Sequence, residues 1–189
     1  MPTSAPALGR EAQRAKVGFY TAHMANAPTL YLVVSGAPVP EGATGLVELL
    51  LNDGYQVLVL STPNGTRFHD TGRLAELTGE QVRVEYRMPG TGKSLPPADA
   101  VLACPLTFNS TNKFAVGLLC EMVGYDVPTI VVPHCKPQLA SHPAFQRSLA
   151  TLRSIPAVTL LHDPHAPYDQ RLPNWEQALQ AVRSATPTS

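Results

Sequence analysis

Short apolar runs that alternate with segments of helical spacing constrain this chain more than any other feature. The runs are "TLYLVVSG" (29–36), "YQVLVLST" (55–62), "ADAVLACP" (98–105), "VPTIVVP" (127–133) and "AVTLLHD" (157–163). Each has the length and composition of a buried strand. "VRVEY" (82–86) alternates instead, as an outer strand does. Between them, "TGLVELLLNDG" (44–54), "GRLAELTG" (72–79), "NKFAVGLLCEMVG" (112–124), "PAFQRSLATLRS" (143–154) and "NWEQALQAVRS" (174–184) predict helices. Gly54 and Gly79 stop two of them, Pro143 starts one, and Asp70 and Asn174 are N-caps. Apolar strands that alternate with helices require a parallel sheet covered on both faces. With right-handed crossovers the result is an α/β fold: a three-layer α/β/α, doubly wound, Rossmann-like sandwich. One domain over 29–184 accounts for the pattern. The expectation for residues 1–28 is an extension, Pro/Ala/Ser-rich and disordered over 1–9 with a poorly patterned helix over 10–26, and for 185–189 a tail.

Charge narrows the function classes. Lys+Arg and Asp+Glu are both 14, so the formal net charge is zero. There is no basic stripe to serve as a nucleic-acid footprint. Cys104, Cys120 and Cys135 form neither a disulfide framework nor a CxxC metal pair. No apolar run approaches the ~20 residues of a membrane span, and the N-terminal stretch lacks an apolar signal core. The expectation is a cytoplasmic protein with no nucleic-acid or membrane partner.

The stretch "PGTGKSLPP" (89–97) invites a phosphate-loop reading and fails it. The pattern requires a glycine five positions before Gly92, where Arg87 stands, and a helix after Ser94, where Pro96 and Pro97 follow. A Gly-rich loop before a strand is the better description. "HDPHAPYD" (162–169) carries two histidines and two aspartates, but a Pro-broken loop lacks the fixed spacing of a metal pair, so no metal site is expected.

In doubly wound sheets, ligands bind outside the carboxyl ends of the strands, so four loops matter. "SGAPVPEGATG" (35–45) has glycines without dinucleotide spacing; it either turns the backbone or approaches a phosphate. In "STPNGTRF" (61–68), Ser61 and Thr62 can bond a ligand or their own turn. "CPLTFNSTNK" (104–113) gathers Thr107, Asn109, Ser110 and Thr111 between a buried strand and a helix start. Capping explains one or two of these; a polar heterocycle or a phosphate would use the rest. "PHCKPQLASHP" (133–143) is long for such a connection and carries His134, Cys135 and Lys136. His134 is either an ordinary loop histidine or a site residue. His69, in "RFHD", reads as a surface residue near a helix start.

The third and fourth loops resemble the homo-oligomeric FMN-containing cysteine decarboxylases. That family includes phosphopantothenoylcysteine decarboxylase and the enzymes acting on C-terminal cysteines of lantibiotic-type peptides. In "PLTFNSTNKFAVG", Pro105, Thr107, Asn109, Lys113, Ala115 and Gly117 keep the spacing of the family's Pro-Ala-Ser/Thr-Ala-Asn-Thr motif and the helix after it. Pro133 and Pro143 keep the spacing of its substrate clamp. The resemblance implies an FMN cofactor held by Ser35, Gly36, Ser61, Pro105, Thr107, Asn109 and Ser110, in a homotrimer or a dodecamer of trimers. It also implies a clamp of Cys135, Lys136 and Leu139 over a small thiol or carboxyl compound or a peptide C-terminus. In the family, flavin takes two electrons from a cysteine side chain and the thioaldehyde formed loses carbon dioxide.

The chain departs from the family at its chemistry. The family's catalytic histidine falls at Thr91, and no histidine lies between His69 and His134. The clamp's asparagine falls at Lys136, its two methionines at Cys135 and Leu139, and its tryptophan at Ala140. His134 and Lys136 are therefore the candidate catalytic residues: a proton carrier and a point charge for a carboxylate. The expectation is a divergent FMN enzyme, of lyase or oxidoreductase type, with a non-catalytic FMN-binding partner or regulatory subunit as the alternative.

Overall fold

A computed structural model describes residues 27–39, 42–85, 95–117, 126–163, 165 and 175–186. Five parallel strands form one sheet: β1 (Thr29–Val34), β2 (Gln56–Ser61), β3 (Ala100–Leu106), β4 (Thr129–Pro133) and β5 (Val158–Leu160), in the order β2-β1-β3-β4-β5. Every residue of β1, β3 and β4 is buried, whereas the three-residue edge strand β5 is half-exposed. This gradient explains why the central strands read as unbroken apolar runs.

The side chains of each strand divide between two cores, as the two-residue period of a strand demands. Leu30, Leu32 and Val34 face a core built with α1 (Thr44–Asn52) and α6 (Trp175–Ala185). Tyr31, Val33, Val101 and Ala103 face the opposite side, where Phe114 of α3 (Phe108–Ala115) and Leu152 of α5 (Pro143–Arg153) pack. Helices cover both faces, and the doubly wound sandwich predicted from the alternation is the fold observed.

Local signals place the helix ends. In α1, Leu46, Val47, Leu50 and Leu51 form one buried stripe at spacings of three and four. The helix stops because Gly54 takes φ +92, which L side chains rarely adopt. The Gly54 and Tyr55 amides then reach back to Leu51 O and Leu50 O, both at 3.1 Å, a Schellman closure. α2 (Thr71–Thr78) starts at Asp70, whose carboxylate accepts the Arg73 amide at 3.0 Å, and ends at left-handed Gly79. Both ends match the sequence reading.

Three expectations need correction. The helix expected from residue 112 begins at Phe108, because Thr107 caps it and the polar stretch 108–113 is its first turn and a half. The outer strand expected over 82–86 is a single bridge, Arg83 beside Leu60, among the described residues. One bridge satisfies only a short stretch of the β2 edge. His69 is not at the surface; it is 2 % exposed. The expected helix over 10–26, the Asn174 cap and the "PGTGKS" stretch lie outside the described residues.

Candidate functional site

The chain leaves β1 for β2 on one side and returns for β3 on the other, so the strand order reverses between β1 and β3. Crossovers diverge at such a point and open a crevice at the carboxyl edge. The loops after β1 and β3 meet there through Ser35, which is fully buried. Its hydroxyl donates to Pro105 O at 2.8 Å and accepts the Thr107 amide at 2.9 Å, and its own amide donates to Pro105 O at 3.2 Å. Both roles of the hydroxyl are thus used within the protein. Ser35 and Pro105, expected beside a cofactor, bond to each other and fix the surface next to them.

That surface is the amino end of α3. Thr107 Oγ1 accepts the Ser110 amide at 3.3 Å and donates to Ser110 Oγ at 3.0 Å. The amides of Phe108 and Asn109 have no intrahelical acceptor, as at every helix start. Asn109 is exposed, Thr107 is half-buried and Ser110 is buried. Free amides, the positive end of the helix dipole and hydroxyls therefore converge beside the switch point, a setting suited to an anion or a polar ring edge. Thr111 Oγ1 and Asn112 Oδ1 in the same helix are buried without a hydrogen-bond partner. The residues present fit FMN: amides and hydroxyls for a phosphate or polyol, with no arginine cluster required.

The loop after β2 forms the other wall. The Gly65 amide donates to Thr62 O at 2.8 Å and closes a turn over 62–65, and the Arg67 and Phe68 amides, bonded to Asn64 O at 3.2 Å and Gly65 O at 2.9 Å, fold the single 3-10 turn over Gly65–Arg67. A Cβ on Gly65 would stand 2.5 Å from Ser61 Oγ and 3.1 Å from Val34 O, so a side chain there would displace the Ser61 hydroxyl and press on the strand end. Gly36 is pressed between Asn64 and Phe68, where a Cβ would meet both at 3.2 Å. Ser61 donates to Thr62 O at 3.0 Å. Gly36 thus lets the first two loops pack against each other, while the Ser61 hydroxyl bonds within its own loop. Next to them His69 Nε2 donates to Ser35 O at 2.9 Å. Desolvation by burial lowers the His69 pKa, and the bond to Ser35 only partly opposes it, so the ring is neutral. Sequence reasoning missed His69. The available signal was its place just before the Asp70 cap, a position that often tucks against the following helix.

The loop after β4 is built differently. The His134 amide donates to Leu106 O at 2.7 Å, which extends the ladder past the strand, and His134 is buried. Cys135 turns inward, into a small core with Ala140, Phe145 and Leu149. Phe108 stacks on Phe145 at 5.8 Å and meets His142 edge-on at 5.6 Å. A one-turn helix, α4 (Pro137–Ala140), follows, and His142 caps α5 by accepting the Ala144 amide at 3.1 Å. Of the expected clamp residues, Lys136 and Leu139 are exposed and Cys135 is not. Burial pushes the Cys104 thiol up to about 12, so it is inert. Among the described residues there is no group of metal-ligating side chains and no helix long and apolar enough to cross a membrane.

No family model and no curated protein matches the chain. Solved structures do. The chain is similar to the FMN-dependent cysteine decarboxylase TvaF from thioviridamide biosynthesis, at 22% identity over 82% of this chain and 98% of that one, with a TM-score of 0.64. It is similar to MrsD from Bacillus sp., at 17% identity over 87% and 99%, with a TM-score of 0.68. It is also similar to AnUbiX, solved in complex with FMN and dimethylallyl pyrophosphate, at 9% identity over 87% and 94%, with a TM-score of 0.62. The structural neighbours thus include the family whose motifs the third and fourth loops resemble, and the fold is theirs.

Proposed function

We propose, from a fold shared with FMN-dependent cysteine decarboxylases, that this chain binds FMN at the β1–β3 crevice. We further propose that it acts on a small thiol or carboxyl compound or a peptide C-terminus. One observation carries the reading: the uncommitted amino end of α3, with Thr107, Asn109 and Ser110, is fixed at the switch point by Ser35. Ser110 and the Phe108 and Asn109 amides would hold the phosphate or polyol. Gly36 and Ser61 would shape the wall beside it. When bound, FMN would supply the two-electron acceptance that the family's decarboxylation requires.

The chain's own contribution is binding and orientation. Lys136, exposed on the loop after β4, would meet a substrate carboxylate as a point charge, less directionally than an amide. Leu139, 42% exposed on the same loop, would offer apolar contact. His134 stands behind them at the strand end, buried, as the histidine nearest to Lys136 in sequence for proton handling. Neither Lys136 nor His134 occupies the position of the family's catalytic histidine. That departure favours a second reading, in which the chain holds FMN as a partner or regulatory subunit without turnover.

Purified protein separates these readings. A yellow preparation that releases FMN on denaturation supports both; a preparation that stays colourless after reconstitution removes both. Peptides ending in cysteine and phosphopantothenoylcysteine then serve as substrates. Mass loss of carbon dioxide, with or without two hydrogens, supports the enzyme. A flavin-loaded protein that leaves the whole panel intact supports the binding subunit.

A further inference from the structure

Carboxylates are missing from one side of the molecule. No Asp or Glu falls within 100–120 or 127–162, although the chain has 14 of them. Those two stretches contain α3, α4 and α5. α3 and α5 cover the same face of the sheet, where Phe114 and Leu152 share a core. α4 packs beside α5 through Ala140, Phe145 and Leu149. Lys113, Lys136, Arg147 and Arg153, on or next to these helices, are all exposed. Among the described residues none of the four has an ion-pair partner. The face covered by α1, α2 and α6 differs. There Arg73 pairs with Glu48 and Glu76 at 3.5 and 3.4 Å, and Arg183 pairs with Asp53. A net charge of zero thus hides a division: one face pairs its charges, and the described helices of the other carry cations without a carboxylate.

Unpaired cations of this kind complement an anionic partner. Val116, at the end of α3, is 66% exposed and Leu139 of α4 is 42% exposed, so apolar side chains stand beside the charges. A peptide brings both carboxylates and apolar groups. A nucleic acid fits less well, because α3, α4 and α5 present no exposed Phe, Tyr or Trp for a base to stack on. The face is also continuous with the candidate site. Lys136 stands on the loop after β4, at the carboxyl edge, and α3 and α5 both run away from that edge. Lys113 and Arg147 lie roughly 6–8 Å from the amino ends of their helices, at 1.5 Å per residue. Two or three residues of extended chain, at about 3.3 Å each, span that distance. A peptide whose terminal carboxylate meets Lys136 would lay the residues before it along these cations.

We infer that the outer face of α3 and α5 beside the β4 loop docks an acidic peptide, so that the substrate is a peptide with carboxylates just before its C-terminus rather than a free small molecule. The inference rests on the FMN reading above and names the substrate class of that site. Lys113 and Arg147 attract and hold the acidic residues. Both are exposed, so their pull weakens as salt screens it. Arg153 lies in the last turn of α5, at the far end from the carboxyl edge, and stays out of the peptide's reach.

Fluorescence anisotropy of labelled peptides ending in Ala-Cys measures the docking. One peptide carries a run of Glu before the Ala, and its twin carries Gln at the same positions. At low salt the purified protein is expected to bind the Glu peptide about tenfold more tightly, and at about 0.5 M NaCl the two should come within about twofold. Arg147→Glu should cut the preference about threefold with flavin content unchanged, and adding Lys113→Glu should abolish it. Arg153→Glu changes the net charge as much as Arg147→Glu does and should keep the preference within about twofold. Equal binding of the two peptides by the wild type, or a preference that survives the double reversal, would overturn the inference. So would tighter binding of a poly-uridine RNA or of phosphatidylserine vesicles, lost in the double variant. A change of oligomeric state in the double variant, read by sedimentation, would overturn it too, by making this face a contact between copies. If the wild type takes up no FMN, the site reading fails whatever the peptides do. If it takes up FMN and ignores the Glu residues, only the peptide inference fails.

Discussion

The seam between β1 and β3 and the loop after β4 flank the same edge of the sheet, yet they are built on opposite plans. At the seam, hydrogen bonds do the holding: Ser35, Pro105, Thr107 and His69 are tied to one another by atoms that have little freedom left. At the loop, apolar packing does it: Phe108, Phe145, Cys135 and Ala140 form a small core beneath, and Lys136 to Leu139 stand in solvent above. Directional bonds fix position and tolerate few substitutions. A packed base with an exposed rim keeps its shape while its surface side chains change. The family motif is kept at the first region and altered at the second, which matches that division.

Substitutions test the contrast. Phe145→Ala should have the largest effect, about 3–5 kcal/mol in urea unfolding, because it empties the base of the β4 loop. Ser35→Ala should follow at about 2–3 kcal/mol, by leaving Pro105 O and the Thr107 amide short of a partner. An equal or larger loss for Ser35→Ala would mean that the seam bears more of the fold than the packed loop. Thr107→Ala removes the cap of α3 and should cost about 1 kcal/mol, with Thr107→Ser near wild type.

The seam should also respond to pH. His69 has a lowered folded pKa, so between that value and the ordinary value of about 6.5 the unfolded chain binds more protons. Its contribution is therefore full above about pH 6.5 and is lost as pH falls. Chemical unfolding at stepped pH should show this slope in the wild type, and His69→Gln should flatten it. Lys136→Ala completes the series with the smallest change, within about 0.5 kcal/mol, as for an exposed side chain. A larger shift would show that the rim of the loop is structural.

The sequence revealed the sheet because burial on both faces leaves strands no room for polar residues, as in "TLYLVV" and "AVLACPL". It revealed the ends of α1 and α2 because glycine and aspartate carry their own geometry. It hid the start of α3, since Asn109 to Lys113 is polar and the two phenylalanines flanking it, Phe108 and Phe114, pack into different cores. The same residues that look like a binding loop are the first turns of a helix. His69 was hidden for another reason. Nothing near it in sequence shows that a carbonyl 34 residues away needs a donor. Cys135 could not be told from a clamp residue, because strand-end loops give no period from which to read inward and outward.

The pairing of β3 with β4 carries a further consequence. Ala103 stands opposite Val131 and Leu106 opposite Pro133, so β3 spends three steps where its neighbour spends two. The surplus residue acts as a vernier: it sets the angular phase at which the chain leaves the sheet and enters α3. Removing it would give a more regular ladder, yet it would send Thr107 and every group after it to the wrong side. Among the described residues, the irregular step is what aims the helix.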